Sequence, residues 1–264
     1  MSKTIVITGA CGGMGRAATA HFAALGWQVF ALDLTACEAG ERVIPVVADV
    51  TREESVRAAM ETVRAHTHRV DAILHFAGIY ALDSLVEMER EAFERIFAIN
   101  VQGAFLVNKL FLPLLGEGSR ILITTSELAP LDPLPFTGIY AVTKGALDQY
   151  AYSLAMELQL LGIRVSVLRA GAVDTGMLGA STTALDRFCE NTALYSCNAD
   201  RFRRIVARVE ARHIPPEAIA RRAARILSAR RPAFVYAINR NPLLLLLNAL
   251  PHRMQFWVIR RILR

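Results

Sequence analysis

Tyr140 and Lys144 stand four residues apart in the run Tyr140-Ala-Val-Thr-Lys144, so in a helix both side chains leave one face. A free phenol titrates near pH 10 and supplies little phenolate at neutral pH, and a neighbouring ammonium favours the charged form. Lowering a phenol by about 3 pH units asks for roughly 4 kcal/mol of differential stabilisation. Such a pair suits a general acid/base that exchanges the proton of an alcohol. Ser126 follows the apolar run 120–125, where its hydroxyl can hold a carbonyl or alcohol oxygen beside Tyr140; Thr124 and Thr125 offer the same group in the same run. Asn100 is an amide inside an apolar helical pattern and needs partners if buried; it is placed to anchor a water that relays protons to Lys144. Lysine is scarce here: only Lys3, Lys109 and Lys144 occur among 30 basic residues, so a lysine at 144 is not simply the usual surface cation of this chain.

A second group lies at the start of the chain. Thr8-Gly9-Ala10-Cys11-Gly12-Gly13-Met14-Gly15 follows a first strand and opens a helix. Glycines there permit a tight turn and close backbone approach to a phosphate, and the helix N-terminus offers free N–H groups and partial positive charge to a pyrophosphate. Gly9, Cys11, Gly13, Met14 and Gly15 are therefore the candidate phosphate cradle. Asp33 ends the second strand, where a carboxylate can accept from both ribose hydroxyls of an adenosine and would repel a 2′-phosphate. Leu34 brings no compensating charge, although Arg16 stands just past the loop, so NAD is expected over NADP. Asp49-Val50 offers a polar–apolar pair for the adenine amino group and ring.

These groups need a frame that brings strand ends together. β-branched runs at 4–8, 28–33, 43–47, 72–76, 120–125 and 164–169 alternate with helical patterns at 14–25, 53–65, 90–115 and 140–161, with a late strand at 233–237. The alternation predicts an α/β fold: one Rossmann-type doubly wound parallel sheet with helices on both faces, in a domain spanning 1–240. The stretch 174–213 breaks the rhythm, polar first and helical from about residue 199, and is placed to form a substrate lid.

Taken together, the motifs resemble those of the short-chain dehydrogenase/reductase family, from Thr4 to about Thr175. Thr8, Gly9, Gly13 and Gly15 match its cofactor loop, Asn100-Val101-Gln102-Gly103 its Asn-Val-x-Gly, Ser126 its serine, and Tyr140 and Lys144 its Tyr-x-x-x-Lys. The loop spacing differs from that of the extended, sugar-nucleotide-modifying branch, which argues against an epimerase. The resemblance implies a catalytic tetrad of Asn100, Ser126, Tyr140 and Lys144, with Tyr140 and Lys144 also meeting the cofactor, and a homodimer or homotetramer. It further implies that Ala77, Gly78, Gly171, Val173 and Thr175 line the cofactor path. The sequence departs from the pattern at His75-Phe76, where the family has two asparagines, and at Ala170, where it has a proline before Gly171.

Composition narrows the rest. Of 264 residues, 53% are apolar and 20% charged, which is globular rather than disordered. No run of 18 uncharged apolar residues or secretory leader is visible, and four cysteines without zinc spacing read as free thiols in a reducing cytoplasm, with no metal expected. Residues 1–186 carry a net charge of −6 and 187–264 a net of +12. The tail 241–264, five consecutive leucines followed by aromatic residues and arginines, suits either an anionic membrane surface or a cover over a substrate pocket or subunit contact. Nucleic-acid binding is not expected, because no basic platform interleaved with aromatics occurs. The expected activity is an NAD(H)-dependent interconversion of a secondary alcohol and a ketone on a lipophilic substrate of steroid, retinoid or fatty alcohol type. The competing reading is a non-catalytic NAD(H)-binding sensor or membrane-associated regulator.

Overall fold

Along the central strands, side chains alternate between two apolar layers, as the period of two requires. Val6, Ile73, Ile121 and Ile123 enter one layer, while Ile5, Ile7, Leu74 and Leu122 enter the other. Strands buried on both faces need helices on both faces. In the computed structural model, which describes residues 2–209 and 213–264, those helices are present. The strands are β1 (Thr4–Thr8), β2 (Gln28–Asp33), β3 (Val43–Val47), β4 (Ala72–His75), β5 (Arg120–Ser126), β6 (Arg164–Ala170) and β7 (Val235–Ile238). The described residues form one seven-stranded sheet in the order β3-β2-β1-β4-β5-β6-β7, with every ladder parallel. The expected Rossmann-type doubly wound α/β fold is thus observed as a single domain.

Helices α1 (Gly13–Ala24), α2 (Glu53–His66), α3 (Arg90–Phe97), α4 (Gly103–Phe111) and α5 (Gly138–Leu158) occur in the first two-thirds of the chain. Phe22 of α1 packs with Ile219, Ala220 and Ala223 of α8 (Pro216–Ser228) in one layer. Val56 and Val63 of α2, Val107 and Phe111 of α4, and Leu147 and Ala151 of α5 fill the other. The single helix expected over 90–115 is instead α3 and α4 joined by a π turn at Ala98–Gln102, and it closes with a short 3-10 turn. By length and composition, Arg90–Leu114 could cross a membrane, yet half of its apolar window is buried in this core.

The polar stretch after β6 is helical earlier than its composition suggests. It contains α6 (Gly176–Asn191) and α7 (Ser196–Val209). Its two ends meet: Val173 forms a parallel bridge with Ile214, Asp174 N donates to Ile214 O (2.9 Å), and Ile214 N donates to Ala172 O (3.2 Å). The chain closes with α9 (Pro242–Asn248) and α10 (His252–Leu263). Asn198 Nδ2 on α7 donates to Leu263 O on α10 (2.6 Å), and Asn241 N donates to the Glu127 carboxylate (2.5 Å), so the tail lies against the fold.

The cysteine expectation is corrected. Cys11 and Cys37 form a disulfide, while Cys189 and Cys197 are free. The two bonded residues are 26 apart in sequence, but the loops leaving β1 and β2 place their Cα atoms 5.4 Å apart. Asp33 lies beside the bridge, and sulfurs joined to each other are not thiolate metal ligands.

Candidate active site

The reversal in strand order falls between β1 and β4, and open α/β sheets bind ligands in the crevice at that point, beyond the carboxyl ends of the strands. The glycine loop and the His75-Phe76-Ala77-Gly78 turn face each other there. Gly9 has φ +67°, and a Cβ on it would lie 2.6 Å from Ala77 N, so only glycine suits the turn. Ala77 N in turn donates to Thr8 Oγ1 (3.3 Å). Gly12 is the N-cap of α1, and no side chain caps the first turn, which leaves N–H donors for an anion. Met14 is partly buried against the core and Gly15 is fully buried. Cys11 N donates to Asp33 Oδ2 (2.9 Å) and Leu34 N to Asp33 Oδ1 (2.8 Å), which fixes the carboxylate at the loop. These residues fit a dinucleotide: an uncapped helix start, a backbone turn open to phosphate, and a fixed carboxylate next to it.

The remaining cofactor candidates lie along the same edge. Asp49 uses one carboxylate oxygen to accept from Thr51 N (2.9 Å) and Thr51 Oγ1 (2.7 Å). Val50 packs so closely on Gly103 that a Cβ there would lie 2.8 Å from Val50 Cγ2. Gly171 N donates to Ile238 O (3.0 Å), and Val173 is buried. Thr175 is the N-cap of α6, and a Cβ on Gly13 would lie 2.7 Å from its Cβ, so the stem of the α6–α7 insertion touches the glycine loop.

Asn100, Ser126, Tyr140 and Lys144 converge from three elements. The π turn carries Asn100, which is buried; Nδ2 donates to Ile79 O (3.0 Å) and Thr143 Oγ1 (3.1 Å), and Oδ1 accepts from Ile79 N (2.8 Å). A π turn widens a helix locally and recurs at functional sites. Gly78 separates the amide from Lys144: a Cβ there would lie 3.2 Å from Asn100 Oδ1 and 3.4 Å from Lys144 Nζ. Ser126 is the last residue of β5, one beyond the expected strand end, and is buried opposite Ala170. Its Oγ accepts from Leu128 N (3.2 Å) and shares a hydrogen bond with the Tyr140 hydroxyl.

Burial, which helical spacing does not show, governs the electrostatics of the pair. It pushes the Tyr140 phenol above its ordinary range; the Ser126 hydrogen bond opposes this, and Tyr80, whose ring centroid is 4.9 Å away, adds to it. The lowering expected from a neighbouring ammonium does not outweigh this burial. Lys144 Nζ lies over the Tyr140 ring face, 5.7 Å from the centroid, and donates to Thr124 O (3.4 Å). Burial brings Lys144 itself down to about 8.

Sequence reasoning missed two supports. Asp148 extends the Tyr140–Lys144 stripe by one more helical turn, a spacing that could have revealed it. It pairs with Arg169 of β6 (2.5 Å) and accepts from Thr125 Oγ1 (3.0 Å), tying α5 to β5 and β6 beneath the site. Where the family pattern has asparagine, His75 Nε2 donates to Asn108 Oδ1 (2.9 Å) and Asn108 Nδ2 to Tyr150 OH (3.2 Å), a buried chain between β4, α4 and α5. Phe76 joins the apolar layer beside it. No sequence signal joined these three residues.

An apolar cavity of about 730 Å³ opens near the start of α5, lined by Leu85, Val86, Leu134, Phe136 and Gly138 and, from α10, Phe256 among others. Residues 84–86, 132–136 and 138 supply part of its lining, with Tyr195 and Asn198 from the 174–213 insertion, while Ser126 and Tyr140 are not among the lining residues. Leu128 and Leu131 lie outside this cavity, and the side chains of Met177 and Leu178 lie outside the described residues. Behind it, Phe136, Phe188, Phe202 and Tyr195 form an aromatic cluster with centroids as close as 4.4 Å.

Known proteins are similar to this chain in sequence and in fold. The family model for short chain dehydrogenases matches residues 3–186. The chain is 31% identical over 192 residues to 2-(R)-hydroxypropyl-CoM dehydrogenase of Xanthobacter autotrophicus, covering 67% of this chain and 77% of that protein. It is 30% identical over 195 residues to 3-hydroxyacyl-CoA dehydrogenase type-2 of Drosophila melanogaster, covering 66% and 76% respectively. The structure of 3-ketoacyl-(acyl-carrier-protein) reductase from Brucella melitensis complexed with NADH superimposes with a TM-score of 0.73 at 25% identity, covering 89% of this chain and 96% of that one.

Proposed function

Since this chain belongs to the short-chain dehydrogenase family of oxidoreductases, we propose that it interconverts a secondary alcohol and a ketone with NAD(H), on a lipophilic small molecule. The convergence of Asn100, Ser126, Tyr140 and Lys144 beside the glycine loop carries this reading. The nicotinamide of the bound cofactor would supply or accept the hydride at the carbinol carbon. Ser126 holds the reacting oxygen by a hydrogen bond. Tyr140 donates its proton to that oxygen in reduction and takes it back in oxidation. Burial keeps the phenol protonated in the free protein, the form that can donate to a ketone oxygen. Lys144 binds the cofactor ribose hydroxyls, and Asn100 holds the 78–79 turn against it.

Asp33 supports NAD over NADP, because its fixed carboxylate would face a 2′-phosphate and repel it. Ala77, Gly78, Gly171, Val173 and Thr175 border the nicotinamide half, with Asp49 and Val50 at the adenine end. The 174–213 insertion acts as the lid, since it springs from two paired stems at Val173 and Ile214. The apolar lining of the cavity supports a substrate of steroid, retinoid or fatty alcohol type. A homodimer or homotetramer completes the reading, and the Cys11–Cys37 bridge removes the free-thiol argument for a reducing cytoplasm.

Tyr140→Phe tests it. Turnover on a panel of secondary alcohols and ketones should fall by about 10²–10⁴-fold, while NADH binding, followed by nicotinamide fluorescence, stays within about twofold of wild type. Undiminished turnover in this variant would remove Tyr140 from the proton step. Cofactor binding without turnover in the wild type would favour a sensor.

A further inference from the structure

The C-terminal pair α9–α10 leaves an apolar and basic face in solvent. Leu243, Leu246, Met254, Phe256 and Trp257 are between 50% and 73% exposed. On α10 and its C-cap, Arg253, Trp257, Arg260 and Arg264 recur three or four residues apart, so they share one face with the indole set among guanidinium groups. The opposite face holds the buried Gln255, whose Nε2 donates to Asp132 Oδ2 (2.9 Å) and to Leu250 O (2.9 Å). The helix is therefore anchored in one orientation, and the exposed residues cannot turn inward.

We infer that this face docks on an anionic lipid bilayer, and that docking sets the mouth of the 730 Å³ cavity against the lipid. The chemistry selects this occupant. Residues 241–264 contain four arginines and no acidic residue. A helix lying in a membrane interface buries apolar side chains and tryptophan at the acyl boundary while arginines reach anionic headgroups. A second copy of the chain related by a two-fold axis would bring the same patch against itself, and arginine would meet arginine. The mouth shares the face: Phe256, Arg260 and Arg264 line the cavity from α10, and Leu85 and Val86, both more than half exposed, line it from the other side. An amphiphile dissolved in the bilayer thus reaches the cavity without crossing water, its apolar body inward and any anionic head beside Arg260 and Arg264. Only this delivery role rests on the oxidoreductase reading; docking itself does not.

The chain carries its own probe. Of its two tryptophans, Trp27 is 7% exposed and Trp257 67% exposed, so a lipid-induced change in emission reports on Trp257. The full chain should float with vesicles of phosphatidylcholine and phosphatidylglycerol at about 7:3, and much less with phosphatidylcholine alone, in about 0.1 M salt where screening beyond ~10 Å is substantial. Trp257 emission should shift to the blue and be quenched by brominated acyl chains. Trp257→Glu, and separately the pair Arg253→Ala with Arg261→Ala, should each reduce the bound fraction by about tenfold while the circular dichroism melt is retained. None of these three residues lines the cavity, so NADH turnover on a water-soluble ketone should persist in both variants. Absence of flotation on the anionic vesicles, equal flotation of both variants, or a wild-type dimer that Trp257→Glu dissolves would each overturn the docking surface. Vesicle binding and turnover are separate measurements, so a failure of docking is distinguishable from a failure of the oxidoreductase reading.

Discussion

An ammonium buried under a tyrosine ring gains little from water, and this sets how Lys144 behaves. At 6% exposure its charged form is penalised, and it titrates near 8 instead of 10.5. The group is thus charged at neutral pH and loses its charge as pH rises through 8. If Lys144 holds the cofactor ribose through its ammonium, NADH affinity should decline by up to about thirtyfold between pH 7 and 9.5, since a ligand that needs the protonated form loses affinity as that form is depleted. Lys144→Met should bind NADH more weakly at pH 7 and show a flat profile. A fluorescence titration in which wild-type affinity is equal at both pH values would detach Lys144 from the cofactor. Tyr140 titrates in the opposite sense: burial disfavours its anion, so the free protein presents a protonated phenol.

Between elements, the decisive contact is that of the glycine loop with the stem of the lid. Gly13 opens α1 and Thr175 caps α6, although 162 positions separate them in the chain. An added Cβ at Gly13 would meet the Thr175 Cβ and Cγ2 at 2.7 Å, closer than packed carbons tolerate, so one element must shift. Gly13→Ala should weaken NADH binding by about tenfold, roughly 1.4 kcal/mol. Adding Thr175→Gly removes the opposing carbons and should restore most of that loss. This double-mutant cycle, read by NADH titration, isolates the contact. Strict additivity of the two changes would show that the stem and loop are uncoupled. The π turn at Asn100 is a comparable device, since it widens the helix where the amide must reach the 79 backbone.

For the whole molecule, the buried chain His75–Asn108–Tyr150 links the central sheet to the helical layer and makes stability depend on pH. His75 is 4% exposed, and burial lowers it from 6.5 to about 4, so the folded protein keeps it neutral. As pH falls, the unfolded chain takes up this proton first, and stability is lost from about 6.5 down to about 4. The loss is on the order of 2–3 kcal/mol at the bottom of that window. Urea unfolding at pH 7 and pH 5 should show a clear decrease for the wild type and a smaller one for His75→Gln, whose amide can still donate to Asn108. An identical decrease in both proteins would assign the acid sensitivity to other groups.

The sequence by itself determined the parallel sheet, its two apolar layers and the placement of the glycine loop, Asn100, Ser126, Tyr140 and Lys144 at the carboxyl edge. The sheet and the loop follow from local signals, namely periodicity and glycine at a turn, which each segment carries alone, whereas the grouping of Asn100 with Ser126, Tyr140 and Lys144 came from the family resemblance of their motifs. Only the tertiary structure decided the Cys11–Cys37 bridge, the Asp148–Arg169 pair, the His75 network, the π turn and the packing of α10 beside the cavity. Each of these depends on which distant segments come into contact. It also decided the balance at the tyrosine, because desolvation depends on everything packed around a group, whereas helical spacing shows only its nearest neighbour along the chain.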